Sequence, residues 1–255
     1  MTAAVVTLVL VTAAYANNFL DARIAENEFS SSKQFMLTTG LQVDDVAWTI
    51  GRTQTVRYSS RYGNVKFEPS VLNYTFEVYD GSWHTVLNTT TGIILYNMPT
   101  SMITYGNNYF QRIFPSNDSF LLEGSAVPVT HVFAVEKLPM TDGSYTRVVV
   151  APSIRMLTST VGTTRYVKFY LPSLSNGTNL YLSQSLTLTG NGVTKVLKNA
   201  VTQVKLSVAF PPDSASKGFT QDFFNFTTPS PLSLPSTSVV ELYVGEVTVS
   251  LGLHT

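Results

Sequence analysis

Cysteine is missing from the 255-residue chain. That excludes disulfides, Cys-ligated zinc and thiol catalysis together, so the protein must be held by its core, by β pairing or by assembly. Charge is scarce as well. Asp, Glu, Lys and Arg make up 13% of the residues, about half the usual ~25%, and 16 basic residues cancel 16 acidic ones. No basic stripe exists to meet phosphates, which sets nucleic acid aside as a partner. The three histidines, His84, His131 and His254, form no pair at a metal-ligand spacing and read as structural or solvated. There is no Gly-x-Ser-x-Gly elbow, phosphate-cradling glycine loop or dinucleotide fingerprint. The one adjacent carboxylate pair, Asp44-Asp45, reads as the solvated face of a helix, since acid/base work needs carboxylates converging across a cleft. The sequence therefore predicts no catalytic residue, no metal site and no cofactor, and a protein that is not an enzyme.

The N-terminal region has its own absences. No charge occurs before Asp21, no basic residue before Arg23, no glycine before Gly40 and no proline before Pro69, so nothing obliges a helix to break early. Val5, Val6, Leu8, Val9, Leu10 and Val11 lie in an apolar run of about 15 residues, short of the roughly 20 that cross a bilayer comfortably. Phe19, Leu20 and Ile24 continue it as a stripe among Asp21, Arg23, Glu26 and Glu28. One helix thus passes from apolar all round to amphipathic. Ala14-Tyr15-Ala16 would serve a secretory signal as a cleavage site, but the basic region that opens such a signal is missing. The expectation is a helix already processed upstream of its apolar stretch and retained on the mature chain. Ala3, Ala4, Ala13, Ala14 and Ala16 allow other helices to approach closely. Residues 30–57 read as more helix, with Phe35, Met36, Leu41, Val46 and Ile50 on one face and with Gly40 and Gly51 each weakening it by about 1 kcal/mol. About 55 helical residues span roughly 80 Å. A domain of ~200 residues cannot bury that length, and copies of the same helix are the expected partners.

Beyond Gly63 the pattern turns to strands. Leu72, Tyr74, Phe76 and Val78 alternate with polar residues, and Asp80-Gly81 signals a hairpin to residues 82–88. Residues 92–96, 127–136 and 145–151 read as strands, the last entered through Asp142-Gly143, while 101–114 is ambiguous. Further alternation runs over 165–171, 181–189 and 201–210, with Gly190-Asn191-Gly192 as a tight turn and Pro211-Pro212 as a stop. Phe219, Phe223, Phe224 and Phe226 form a cluster expected over the core, residues 229–235 a linker-like loop, and 239–253 a final strand. The fold class is α+β: a long N-terminal hydrophobic helix (1–57), then an antiparallel β-sandwich head (58–255) of one or two β domains, divided near 140–155 if there are two.

Two stretches carry a resemblance. Asp44-Asp45-Val46-Ala47-Trp48-Thr49-Ile50-Gly51-Arg52 with Val56-Arg57-Tyr58-Ser59-Ser60-Arg61-Tyr62-Gly63, and Arg165-Tyr166-Val167-Lys168-Phe169-Tyr170-Leu171-Pro172, resemble archaeal type IV pilin-like surface proteins of the class III signal peptide family. The resemblance implies that the apolar stretch stays on the mature subunit and builds the core of an extracellular filament, after a stage in the membrane. The chain departs from bacterial pilins at Val5, where they carry a glutamate. Asn-x-Ser/Thr acceptors occur at Asn73, Asn88, Asn117, Asn176 and Asn225. Asn88, Asn117 and Asn176 lie beside turn-like residues and are the better candidates for attached glycans, and Asn225, within the aromatic cluster, the poorest. The expected function is a homopolymeric, adhesive filament subunit. The alternative is a membrane-anchored extracellular binding protein that does not polymerise.

Overall fold

The computed structural model describes residues 2–179, 184–228 and 231–252. The order of elements is α1 (Thr2–Ala47), β1 (Thr53–Arg57), β2 (Asn64–Tyr79), β3 (Trp83–Pro99), β4 (Tyr109–Phe114), β5 (Leu121–Glu123), β6 (Thr130–Glu136), β7 (Tyr145–Pro152), β8 (Ile154–Val161), β9 (Thr164–Asn179), β10 (Ser185–Ala209), α2 (Pro212–Ser216), α3 (Gln221–Phe224) and β11 (Leu232–Leu251). One long apolar helix is followed by a large, mostly antiparallel sheet, the α+β class read from the sequence.

The helix ends ten residues sooner than the sequence suggests. It stops at Ala47, and residues 53–57 form β1 against the start of β10. A turn with Gly51 in the left-handed region (φ 79°) makes the break, and the Gly51 amide donates to the Gly190 carbonyl at 2.7 Å. At 46 residues the helix is roughly 70 Å long.

The strands form a single sheet in the order β4-β6-β7-β3-β2-β10-β11-β9-β8-β5, with β1 beside β10. Two pairings, β9 with β11 and β5 with β8, are parallel. The sheet bends back on itself. In β2 the register slips between Glu68 and Leu72, at Pro69 and at Ser70, whose φ is 54°. Such a bulge turns a strand through a corner and tolerates a proline. Phe76 of β2 then meets Phe169 of β9 at 4.7 Å, and the Leu174 amide of β9 donates to Thr91 Oγ1 of β3 at 2.8 Å. Residues 145–152 lie inside this sheet, bonded to β6 on one side and β3 on the other.

The second half of β3 (residues 91–98) and strands β6 and β7 are buried on both faces. Ile93, Leu95, Phe133, Val135, Val149 and Ala151 face the interior of the bent sheet, while Ile94, Tyr96, Val132, Ala134, Val148 and Val150 face α1. This explains why β6 and β7 read as apolar runs rather than alternating patterns. Phe219, Phe223, Phe224 and Phe226 are buried against the interior core, as the aromatic cluster suggested. The turn expected at 190–192 and the loop expected at 229–235 differ in the described residues, and residues 229 and 230 lie outside them. Gly190-Asn191-Gly192 lies within β10, and β11 already begins at Leu232.

Candidate functional site: the emerging helix and its collar

The second half of α1 is seated on the sheet by a regular repeat. Ala25, Phe29, Ser32, Met36, Thr39, Val43 and Val46 are all buried, at alternating spacings of four and three that keep one narrow stripe against a partner. Two members are polar, but each hydroxyl is satisfied within the helix: Ser32 donates to the Phe29 carbonyl at 2.7 Å and Thr39 to the Phe35 carbonyl at 2.9 Å. Of the face expected from sequence, Met36 and Val46 are buried and Phe35 half-buried, whereas Leu41 (49%) and Ile50 (70%) are exposed.

Glycines set how closely the helix lies. A side chain at Gly40 would meet Thr130 Oγ1 and Val132 Cγ2 at 2.9 Å, and the Thr130 hydroxyl donates to the Gly40 carbonyl at 3.1 Å. Gly190 and Gly245, on neighbouring strands, lie under the backbone carbonyls of Val46, Thr49 and Ala47, where a Cβ would collide. Glycine here serves close backbone approach rather than a turn. At the foot of the helix Arg155 donates twice to the Asp44 carboxylate, at 2.8 and 3.2 Å, and Trp48 Nε1 donates to it at 2.7 Å. Asp45 pairs with exposed Arg52 at 3.1 Å. The adjacent carboxylates thus part: Asp44 anchors the helix and Asp45 is solvated. From Arg155 a ladder of direct cross-strand neighbours runs through Tyr170 and Tyr243, stacked at 5.0 Å, to Lys195.

At the other end of the seated half, the loop before β2 grips the helix like a collar. The Glu28 carboxylate accepts bonds from the backbone amides of Arg61 (2.9 Å), Tyr62 (3.1 Å) and Gly63 (2.8 Å), from the Ser60 hydroxyl (2.7 Å) and from Tyr96 Oη (2.7 Å). Burial works to raise this carboxyl. The bonds from Tyr96, Gly63, Arg61 and Ser60 outweigh it and hold the pKa at about 2. Gly63 is obligatory, because a Cβ would strike the Tyr96 ring. Above Glu28, Tyr62 donates to Asp21 Oδ1 at 2.6 Å and Arg61 pairs with the same carboxylate at 3.3 Å. A groove of about 560 Å³ runs between helix and collar, lined by Ile24, Asn27, Ser31, Phe35, Tyr58 and Arg61 among others. The sequence singled out the stretch that becomes the collar but missed its anchor, Glu28, because one glutamate on an amphipathic helix carries no local signal.

Beyond the collar the helix is bare. Val5, Val6, Leu8, Val9, Leu10, Val11, Phe19 and Leu20 are 53–68% exposed, and Ile24, at the rim of the groove, 38%. Eight of the nine residues expected in an assembly core lie on this projecting segment, spread around its whole circumference, and Ile24 lies at the level of the collar. It belongs to the one helix among the described residues long and apolar enough to cross a membrane, and none of its most apolar window is buried.

The other sequence candidates are dispersed. Among the five glycan acceptors, Asn88, Asn117, Asn176 and Asn225 are exposed and Asn73 is half-buried in β2 with its Oδ1 enclosed. Asn225 differs from expectation: its aromatic neighbours turn inward, while it caps α3 outward at φ 49°. Asn88 and Asn176 lie within long strands rather than beside turns. His84 is exposed beside Asp80, and His131 is buried, its Nε2 2.8 Å from the Ser119 carbonyl and its ring stacked on Phe226. Burial, only partly offset by that hydrogen bond, pushes the His131 pKa down to about 4. His254 lies outside the described residues. Among the described residues, no group of three or more His, Asp or Glu could hold a metal ion.

Comparison with family models, curated proteins and solved structures gives no match. The functional reading therefore rests on the emerging helix and what holds it.

Proposed function

We propose that the chain is the structural subunit of an extracellular filament of the archaeal type IV pilin kind. Projecting halves of α1 from many copies form an apolar core, and the β heads coat it, carry glycans on exposed asparagines and adhere to cells or surfaces. The role is structural, not catalytic. The observation that carries this reading is the bare helix. A Val or Leu side chain gains roughly 1.5–3 kcal/mol on full burial. Nine such residues, about half exposed, offer on the order of 10 kcal/mol before the costs of ordering. Six of the eight residues from Val5 to Thr12 are β-branched, and β-branched residues are weak helix formers in water. Among apolar neighbours a helix is the state that pairs every backbone group internally, so the segment's conformation itself calls for apolar surroundings.

Val9→Asp tests the proposal. An unpaired carboxylate in a closed apolar core is too costly to bury. Filaments should disappear from electron micrographs while the head keeps its circular dichroism and melting temperature. Normal filaments from the variant would refute the reading. The second reading is a membrane-anchored adhesin that never polymerises. It draws on the same segment, whose 19 uncharged helical positions from Thr2 to Leu20 are about 28 Å long, close to the ~30 Å hydrocarbon layer of a bilayer. Negative-stain microscopy of the cell surface separates the two, as filaments or as an even coat.

A further inference from the structure

The collar has a feature that holding a helix to a head does not require. Arg61 and Tyr62 reach past Glu28 to grip Asp21, the first charged residue of the chain. Asp21 is also where the uncharged stretch of about 28 Å ends. Two independent features therefore coincide at one level: the end of a bilayer-length apolar helix and a head loop presenting a tyrosine and an arginine. Those are the side chains that settle at membrane interfaces, the ring lying among headgroups and the cation snorkelling to water. Arg23 lies over the Phe19 ring at 5.3 Å and adds the same chemistry on the helix. At this level Asp21, Glu26 and Glu28 are balanced by Arg23, Arg61 and Arg57, which lines the same groove, so it carries no net charge and suits a zwitterionic surface. Depth is set by rigid parts. Bonds from four loop residues to Glu28 fix the loop, and the seated helix fixes Glu28.

We infer that the collar loop, through Arg61 and Tyr62, is a bilayer-contact surface, which holds the head directly against the headgroups of a zwitterionic membrane while residues 2–20 span the hydrocarbon. This rests on the reading that the apolar helix enters a membrane before or instead of assembly, and it adds that the head lies on the lipid rather than standing off it.

The chain's lack of cysteine makes a direct test possible. Single cysteines are placed at Val9, at exposed Ser59 in the collar and at exposed Ser82. Ser82 sits at the tip of the β2–β3 hairpin, at the far end of a 16-residue strand from the collar. Each carries a nitroxide, and the full chain is reconstituted at low density in phosphatidylcholine vesicles. Collision with oxygen and with a water-soluble nickel complex then reports depth. The expected pattern is Val9 in the hydrocarbon, Ser59 in the headgroup layer with nickel access reduced several-fold relative to Ser82, and Ser82 in water. Val9 in hydrocarbon with Ser59 as open to nickel as Ser82 would overturn the collar contact and leave the anchor standing. Val9 in water would overturn the membrane-inserted reading as well. Shielding of Ser59 only at high protein density, with dipolar broadening, would assign the contact to a second copy instead. The pair Arg61→Gln, Tyr62→Phe should move the Ser59 label toward water with the head's circular dichroism unchanged. No movement would show that these side chains do not set the depth.

Discussion

The two halves of α1 share one backbone and follow opposite rules. From Ala25 to Val46 the helix buries a narrow stripe on its own sheet and exposes small polar residues such as Asn27, Ser31, Gln34 and Thr38. From Val5 to Leu20 its large apolar side chains point outward all round and are more than half exposed. The seated half is held by specific devices: glycines that admit its carbonyls, a carboxylate clamped by a loop, and an ion pair at its foot. The bare half offers mainly apolar area, which is non-directional. The head is thus held by contacts within the chain, while the projecting half is left to whatever apolar surroundings it meets.

The comparison breaks most sharply under matched truncations. Met36→Ala removes a buried side chain and should lower head stability by about 2–5 kcal/mol. Leu8→Ala should leave the head's denaturation midpoint unchanged and weaken only assembly. Equal effects on the midpoint would mean that the bare half packs on the head after all. Gly190→Val sharpens the claim about close approach. It forces the helix foot off the sheet at a cost of roughly 2–3 kcal/mol, seen as a melting temperature lower by about 4–12 °C. A wild-type melting temperature would contradict it.

Acid should act only on the head and its collar. His131 titrates at about 4 in the folded protein, below the ordinary histidine value of 6.5. The unfolded chain therefore binds the extra proton first, and head stability falls as pH drops from 6.5 toward 4, by about 3 kcal/mol in all. His131→Phe should flatten that part of the curve. Glu28 is depressed from 4.5 to about 2, so its contribution is intact above pH 4.5 and is lost as pH falls from there toward 2. Glu28→Ala should cost about 2 kcal/mol and expose residues 58–63 to protease at neutral pH. A resistant collar in that variant would disprove the clamp. The smallest effect is expected at Arg23, whose exposed bond to Glu26 should be worth under about 0.5 kcal/mol. A larger loss of head stability in Arg23→Ala would show that the ion pair belongs to the seated half.

Much of this was legible in the chain. The strand alternation at Leu72, Tyr74, Phe76 and Val78, the Asp80-Gly81 hairpin and the buried aromatic cluster are local patterns, and each appears in the fold. The bare helix was legible because a helix without charge before Asp21 has no face to give to water. What failed was the seated half, for particular reasons. Ser32 and Thr39 occupy stripe positions with hydroxyls bonded to their own helix, so the repeat is invisible to a hydrophobicity pattern. Gly190-x-Gly192 looks like a turn in sequence, and only the helix lying over it explains the glycine at position 190. Glu28, Arg155 and Tyr96 acquire meaning from partners distant in the chain.

Periodicity and composition, which act over a few neighbouring residues, were enough to specify an apolar helix leading into a cysteine-free β head. Where that helix stops belonging to the head emerged from long-range contacts alone. That boundary is set where Glu28 meets the collar and where Asp21 meets Arg61 and Tyr62. Such contacts depend on the bend of a sheet and the length of its strands, which no local run of residues encodes.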